Sequence, residues 1–60
     1  MTDGERLSKL RHDLANPLAA LLAETQLLLM EASTLPPEVV AALKEIENLA
    51  IRMRTVLRDG

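Results

Sequence analysis

The residue types best able to do chemistry in this chain stand together between positions 12 and 17. His12 is the only histidine, Asp13 follows it directly, and Asn16 lies one helical turn further on. A carboxylate beside an imidazole can hold one ring nitrogen by a hydrogen bond and leave the other nitrogen as the nucleophile. An amide on the same helix face can hold a water molecule or a phosphoryl oxygen without competing as a base. The spacing favours nucleophilic chemistry at His12; the alternative is a surface histidine without a function.

Pro17 stands five residues after His12, inside a segment that otherwise has the pattern of a helix. An interior proline removes one N–H donor, leaves the carbonyl of Asp13 without its helical partner and costs about 3 kcal/mol in an unconstrained helix. The apolar spacing changes at the same place, because a second step of four residues leads from Leu14 to Leu18. We expect a bend and a register shift next to the histidine; the alternative is a structural kink without a role in chemistry.

The sequence predicts two helices that position these residues. The break between the helices falls at the adjacent prolines Pro36 and Pro37. Adjacent prolines cannot lie inside a regular helix, but they suit a turn and the first positions of the next helix. On both sides of them apolar residues recur every three or four positions, as on one face of a helix. One such stripe comprises Leu7, Leu10, Leu14, Leu18, Leu21, Thr25 and Leu28, and the other comprises Val39, Val40, Leu43, Ile46, Ala50, Met53 and Leu57. We predict a single domain over residues 1–60, with helix 1 at about 3–32, a turn at about 33–37 and helix 2 at about 38–58.

The composition predicts that two copies of the chain associate. With 60 residues, of which 48% are hydrophobic, the chain buries too little apolar surface to be stable without a staple or a partner. It has no cysteine for disulfides, and its single histidine argues against structural zinc. A connection of about five residues makes the two helices antiparallel. The predicted fold class is all-α: an antiparallel helical hairpin that homodimerises into a four-helix bundle.

Charge and hydropathy argue against several classes of partner. The net charge of −2 and the pI near 5.2 leave no basic face for nucleic acid, so none is expected as a partner. No apolar run approaches the roughly 18 residues needed to span a bilayer, and no signal-peptide core follows the charged N-terminus. We therefore expect a cytoplasmic segment without membrane contact.

The stretch HDLANPL, from His12 to Leu18, resembles the H-box of sensor histidine kinases, which reads His, acid, apolar residue, any residue, Asn or Thr, Pro, Leu. The long first helix, short turn and second amphipathic helix resemble the dimerisation and histidine phosphotransfer domain over the whole chain. The resemblance implies that His12 is the phosphoacceptor and that Asp13 is the acid/base that activates it. It also implies that Asn16 positions water for dephosphorylation of a response regulator, and that Pro17 lets the helix tilt between signalling states.

The same resemblance implies the partners, which are a second copy, an ATP-binding kinase catalytic domain and a receiver domain of bacterial two-component signalling. The only glycines are Gly4 and Gly60, so the chain lacks a glycine-rich phosphate-binding motif. ATP and magnesium are expected on the separate catalytic domain, with no cofactor or metal in this chain. The chain is then part of a histidine protein kinase and is not expected to phosphorylate itself. The alternatives are a free-standing phosphorelay histidine phosphotransferase and a purely structural dimeric hairpin.

A docking surface is predicted below the histidine. Ala19 and Ala23 follow His12 and Asn16 along the exposed side of helix 1 and make a smooth surface on which a partner helix can lie. The alternative is that both alanines are simply good helix formers on a solvated face.

Overall fold

The computed structural model describes residues 2–59, which form two α helices joined by a short turn. Helix α1 spans Asp3–Leu29, a single 3-10 turn spans Ala32–Thr34, and helix α2 spans Pro37–Asp59. The helices lie side by side as a hairpin measuring 49 × 15 × 12 Å. The prediction of an all-α helical hairpin is confirmed, and no strand occurs in the described part of the chain. Neither helix has the length and apolar character needed to cross a membrane.

Helix α1 is capped at its start and weakly supported at its end. The hydroxyl oxygen of Thr2 accepts a hydrogen bond from the backbone N–H of Glu5 at 3.1 Å, which satisfies one free donor of the first turn. The last turn contains no basic residue, and Glu31 places a negative charge near the negative end of the helix dipole. Consistent with this, α1 ends at Leu29, three residues before the predicted boundary.

Helix α2 begins at its proline. Pro37 occupies the first helical position, where its missing N–H costs nothing, and the carbonyl of Pro36 accepts the backbone N–H of Val40 at 3.1 Å. The helix therefore starts one residue before the predicted position 38 and ends one residue after position 58, at Asp59.

The core of the hairpin is the seam where α1 and α2 touch. Leu18, Leu22 and Ala50 are its buried apolar residues, with exposed fractions of 7%, 5% and 2%. Thr25 is also buried, and its hydroxyl is satisfied because it donates to the carbonyl of Leu21 at 2.7 Å. Leu22 does not belong to the periodic stripe that the sequence predicts for the core of helix 1. Leu22 packs at the centre of the helix contact.

A second apolar face of the hairpin is left open. Four leucines of the predicted core stripe on α1 are 44–54% exposed, namely Leu7, Leu10, Leu14 and Leu21. Part of this face and α2 together form an open groove of about 570 Å³, here called the apolar groove. The groove is lined by Leu14, Pro17, Leu18, Leu21, Leu49, Arg52, Met53, Val56 and Leu57. The stripe was expected in the core. Only Leu18 and Thr25 of this stripe are buried, and its other leucines lie beside the core, because each helix carries two neighbouring apolar stripes and one hairpin has a single seam.

Candidate functional site

The imidazole of His12 projects into solvent from α1. Its side chain is 77% exposed, whereas Leu18, almost two helical turns further on, is buried. This difference follows from the helical spacing, which turns position 12 away from the apolar stripes. An imidazole in this position is open to approach by large partners.

Asp13 does not hold His12 in this structure. The distance from Nδ1 of His12 to Oδ1 of Asp13 is 3.9 Å, which is too long for a hydrogen bond. The other carboxylate oxygen of Asp13 instead accepts a hydrogen bond from Nζ of Lys9, one turn earlier, at 2.6 Å. The expected His12–Asp13 hydrogen bond is therefore absent, because the ammonium of Lys9 takes the carboxylate.

The ammonium of Lys9 also changes the acidity of Asp13. Its hydrogen bond to the carboxylate lowers the pKa of Asp13 below the ordinary value of 3.8, and its charge and the neighbouring imidazole act in the same direction. Asp13 is therefore ionised at neutral pH. Lys9, which sequence reasoning passed over, controls where that carboxylate points. The signal that would have identified it is the four-residue spacing of a lysine and an aspartate on a helix.

The other two residues of the motif lie on different sides of α1. Asn16 is exposed, and its side chain makes no hydrogen bond to the described residues, so its amide is free for a ligand. Pro17 is part of the helix, which continues through it from Asp3 to Leu29. Pro17 lines the apolar groove, so this ring faces the open apolar side of the hairpin.

The two alanines of the predicted docking surface, Ala19 and Ala23, are both exposed. At about 100° per residue they follow His12 and Asn16 along one side of α1. The structure leaves this strip of small side chains open to solvent.

A small concave site that sequence reasoning missed lies next to the histidine. Its volume is about 250 Å³, and it is called here the basic pocket because three arginines contribute to its lining. The lining residues are Arg11, His12, Ala15, Leu18, Arg54, Leu57 and Arg58. The motif around His12 gives no sign of the α2 arginines, which lie about forty residues further along the chain. A usable signal exists, because in an antiparallel hairpin residues equally far from the turn lie at the same level. His12 is 21 residues before Ser33 and Arg54 is 21 residues after it.

The charges of the chain are divided between the two ends of the hairpin. The end with His12 carries six of the seven basic residues and four of the nine acidic ones. The turn end carries the remaining basic residue, Lys44, and five glutamates. The histidine end is therefore positive and the turn end negative, although the chain as a whole has a net charge of −2. The six basic residues are Arg6, Lys9, Arg11, Arg52, Arg54 and Arg58.

Residues 2–59 contain no group of three or more metal-ligating side chains placed to hold a metal ion. The residues around His12 instead offer one nucleophile, one carboxylate, one amide and several cations. This set is suited to handling an anionic group such as a phosphoryl group, which needs positioning and charge neutralisation more than covalent assistance.

In comparison with protein families, the model of the His Kinase A (phospho-acceptor) domain matches residues 3–59. Comparisons with curated proteins and with solved structures gave no significant match. The matched range covers both helices and the whole of the site around His12.

Proposed function

Since the chain belongs to the His Kinase A (phospho-acceptor) domain family, we propose that it is the phosphoacceptor and dimerisation domain of a two-component sensor histidine kinase. The observation that carries the proposal is the 77% exposed side chain of His12 within HDLANPL, inside the matched range. The matched family accepts phosphate on histidine, and His12 is the only histidine in the chain.

The proposed reaction is attack by Nε2 of His12 on the γ-phosphorus of ATP, which a separate catalytic domain binds with magnesium. The Nε2–phosphorus bond forms, the bond to the β-phosphate oxygen breaks, and ADP leaves with the electron pair. The ring is then positively charged and releases the Nδ1 proton to the Asp13 carboxylate or to water. Rotation of the Asp13 side chain away from Lys9 shortens the 3.9 Å distance to Nδ1 and lets it take this proton.

The phosphoryl group then passes to an aspartate of a receiver domain. A carboxylate oxygen of the receiver attacks the phosphorus, the bond to Nε2 breaks with its electron pair going to the ring of His12, and Nδ1 takes up a proton from Asp13 or water, which restores the neutral imidazole. The exposed strip of Ala19 and Ala23 supplies the surface on which the receiver lies. In a separate phosphatase reaction, the free amide of Asn16 positions a water molecule that attacks the phosphorus on the receiver aspartate, and inorganic phosphate is released.

A second copy of the chain is the proposed cover for the apolar groove. The groove has large exposed side chains on both helices, including Met53 at 54% and Val56 at 67% exposure. Exposed apolar surface of this kind marks a protein interface, and two hairpins packed groove to groove give a four-helix bundle. In this arrangement His12 stays outside the interface, because the histidine does not line the groove.

The test is to incubate the chain with a separated kinase catalytic domain, ATP and magnesium, and to measure the intact mass at neutral pH. We expect the gain of one phosphate that is lost in acid and that His12→Gln abolishes. No gain with catalytic domains that phosphorylate related hairpins would contradict the proposal. In that case phosphate accepted only from a phosphorylated receiver would indicate a phosphorelay phosphotransferase. Failure with both donors would indicate a structural hairpin.

A further inference from the structure

The carboxylate of Asp13 has two neighbours on α1 that can bind it, and in this structure Lys9 does so. Nζ of Lys9 lies 2.6 Å from one carboxylate oxygen, whereas Nδ1 of His12 lies 3.9 Å from the other. Within residues 2–59 no other cation lies within 4.0 Å of this carboxylate. Asp13 is therefore held on the side of α1 that carries Lys9, away from the ring beside it.

Helix geometry favours this arrangement. Residues four positions apart, such as Lys9 and Asp13, are neighbours on the helix surface, whereas successive residues point about 100° apart. His12 and Asp13 are successive, so their side chains diverge unless the aspartate turns toward the ring. All three side chains are more than half exposed, so no packed neighbour blocks this turn. The group that opposes it is the ammonium of Lys9.

The acidity of Asp13 gives the same order of strength. The hydrogen bond from Lys9 is the largest cause of the lowered pKa of Asp13, and the effects of His12 on that pKa are smaller. The carboxylate therefore interacts more strongly with the lysine than with the imidazole.

The place of this carboxylate decides which nitrogen of His12 is free to react. A neutral imidazole carries its proton on Nδ1 or on Nε2, and only the nitrogen without the proton is a nucleophile. A carboxylate that accepts a hydrogen bond from Nδ1 keeps the proton there and leaves Nε2 free. While Asp13 is bound to Lys9 it does not make this selection, so a smaller share of the rings has Nε2 ready to attack.

We propose that Lys9 restrains the phosphoacceptor site by holding the carboxylate of Asp13 away from His12, so that phosphorylation of Nε2 is faster when the carboxylate is released. The proposal rests on the function proposed above, in which Nε2 is the nucleophile. Lys9 is a positioning residue, because it acts on the ring through Asp13. Exposed ion pairs with this spacing are weak, so we expect the restraint to slow phosphorylation about twofold.

The experiment uses phosphoramidate, which phosphorylates histidine without a kinase. Nε2 of His12 attacks the phosphorus, the phosphorus–nitrogen bond of the reagent breaks, ammonia leaves with the electron pair, and Nδ1 releases its proton to Asp13 or to water. The rate is measured from the intact mass at neutral pH. We expect Lys9→Arg, which keeps the cation, to react like the unchanged chain. Lys44→Gln, which removes a cation at the turn end, is the control and is also expected to leave the rate unchanged.

A double-mutant cycle separates the restraint from the loss of a charge. Lys9→Gln frees the carboxylate, but it also weakens the attraction of the anionic reagent to the site. The second effect is present with or without Asp13, whereas the first requires Asp13. We therefore expect the change in rate caused by Lys9→Gln to be about twofold more favourable in the unchanged background than in the Asp13→Asn background.

A second readout reports on the ring itself. His12 is the only histidine, so 15N NMR of its ring nitrogens gives the shares of the two tautomers without overlap. At about pH 8.5, where imidazole side chains are neutral, we expect Lys9→Gln to increase the share with the proton on Nδ1. Asp13→Asn is expected to remove this increase. A lysine that only stabilised the helix would change the circular dichroism and leave the tautomers as they are.

Two results would overturn the proposal. One is an equal tautomer share in Lys9→Gln and the unchanged chain, with both folded by circular dichroism. The other is the same change in rate for Lys9→Gln in both backgrounds of the cycle. Neither measurement uses a catalytic domain or a receiver, so failure of the restraint leaves the kinase assay unaffected. Failure of the proposed function would appear in the kinase assay alone.

Discussion

The apolar groove and the basic pocket are two open surfaces at the same end of the hairpin, and they share Leu18 and Leu57 as lining residues. On α1 they lie on either side of Leu18, with Leu14 and Leu21 toward the groove and His12 and Ala15 toward the pocket. One packed layer therefore separates an open apolar groove from a small cavity that the histidine and three arginines help to line.

The difference between the two surfaces shows how this small helical domain can combine assembly with chemistry. A partner on the groove would be held by burial of apolar side chains, which added salt does not weaken. An anionic partner near His12 would be attracted by the basic residues at that end of the hairpin, and salt screens this attraction over a distance of about 10 Å at 0.1 M ionic strength. The two surfaces can therefore be perturbed separately, and the four predictions below do so in order of decreasing expected effect.

The largest effect is expected from a charge placed in the apolar groove. Leu21→Glu puts a carboxylate where a second copy is proposed to pack, and an unpaired buried charge costs several kcal/mol, about 3–5 by analogy with broken buried ion pairs. We expect loss of the dimer and a large fall in thermal stability, measured by light scattering and circular dichroism. Leu27→Glu is the control, because Leu27 is 58% exposed, compared with 49% for Leu21, and does not line the groove. Equal behaviour of the two variants would place the interface elsewhere.

The second effect concerns the proline that lines the groove. Pro17→Ala restores a backbone N–H that can donate to the carbonyl of Asp13, so we expect the free energy of unfolding to rise by about 2 kcal/mol, somewhat less than the full proline penalty. Urea denaturation measures this change, with Pro36→Ala as the control outside the helices. A fall in stability would mean that contact of the proline ring in the groove is worth more than the missing hydrogen bond. Reduced phosphoryl transfer in a more stable Pro17→Ala variant would support the proposed bend.

The third effect tests whether the receiver is recognised by shape or by charge. Ala19→Arg places a long side chain on the proposed docking strip, and we expect transfer to the receiver to slow about tenfold, equivalent to 1.4 kcal/mol, with dimerisation unchanged. Ala41→Arg makes the same substitution at an exposed position on α2, near the turn. Faster transfer in Ala19→Arg would indicate that positive charge beside the basic pocket matters more than a smooth surface.

The smallest effect is expected from a substitution of Lys9, whose ammonium donates to the carboxylate of Asp13 beside His12. Lys9→Gln removes the hydrogen bond that lowers the pKa of Asp13, so that pKa should rise toward 3.8 in an NMR titration of the carboxyl carbon. A lowered carboxyl pKa stabilises the folded chain above pH 3.8, and this contribution is lost as the pH falls through the folded value. The variant should therefore lose less stability on acidification than the unchanged chain. An unchanged pKa in Lys9→Gln would show that the 2.6 Å contact does not persist in solution.

The sequence was sufficient to predict the two helices, the turn between them and the exposure of His12 to solvent. The helical spacing of the leucines and the two adjacent prolines predict two helices with a turn between them, and the same spacing turns His12 into solvent. These features depend on the local chain, because periodicity and the lack of an N–H on proline act within a few residues.

Features that depend on contact between the helices could not be obtained in this way. The sequence did not separate the seam from the apolar groove, because Leu18 and Leu21 belong to the same periodic stripe. Only the packing of α2 decides which of them is buried. The competition of Lys9 with His12 for Asp13 also depends on side-chain rotamers rather than on spacing. The basic pocket requires two distant segments, around Arg11 and Arg54, to be placed at the same level.

The division of charge along the 49 Å hairpin has a consequence for the rate at which partners arrive. A molecule with a positive end and a negative end is an electric dipole, and its field acts on a charged partner before the two surfaces touch. An acidic partner is therefore turned toward the end with His12 while it is still diffusing. Its encounter rate should fall as ionic strength rises, because the ions shorten the distance over which this field acts.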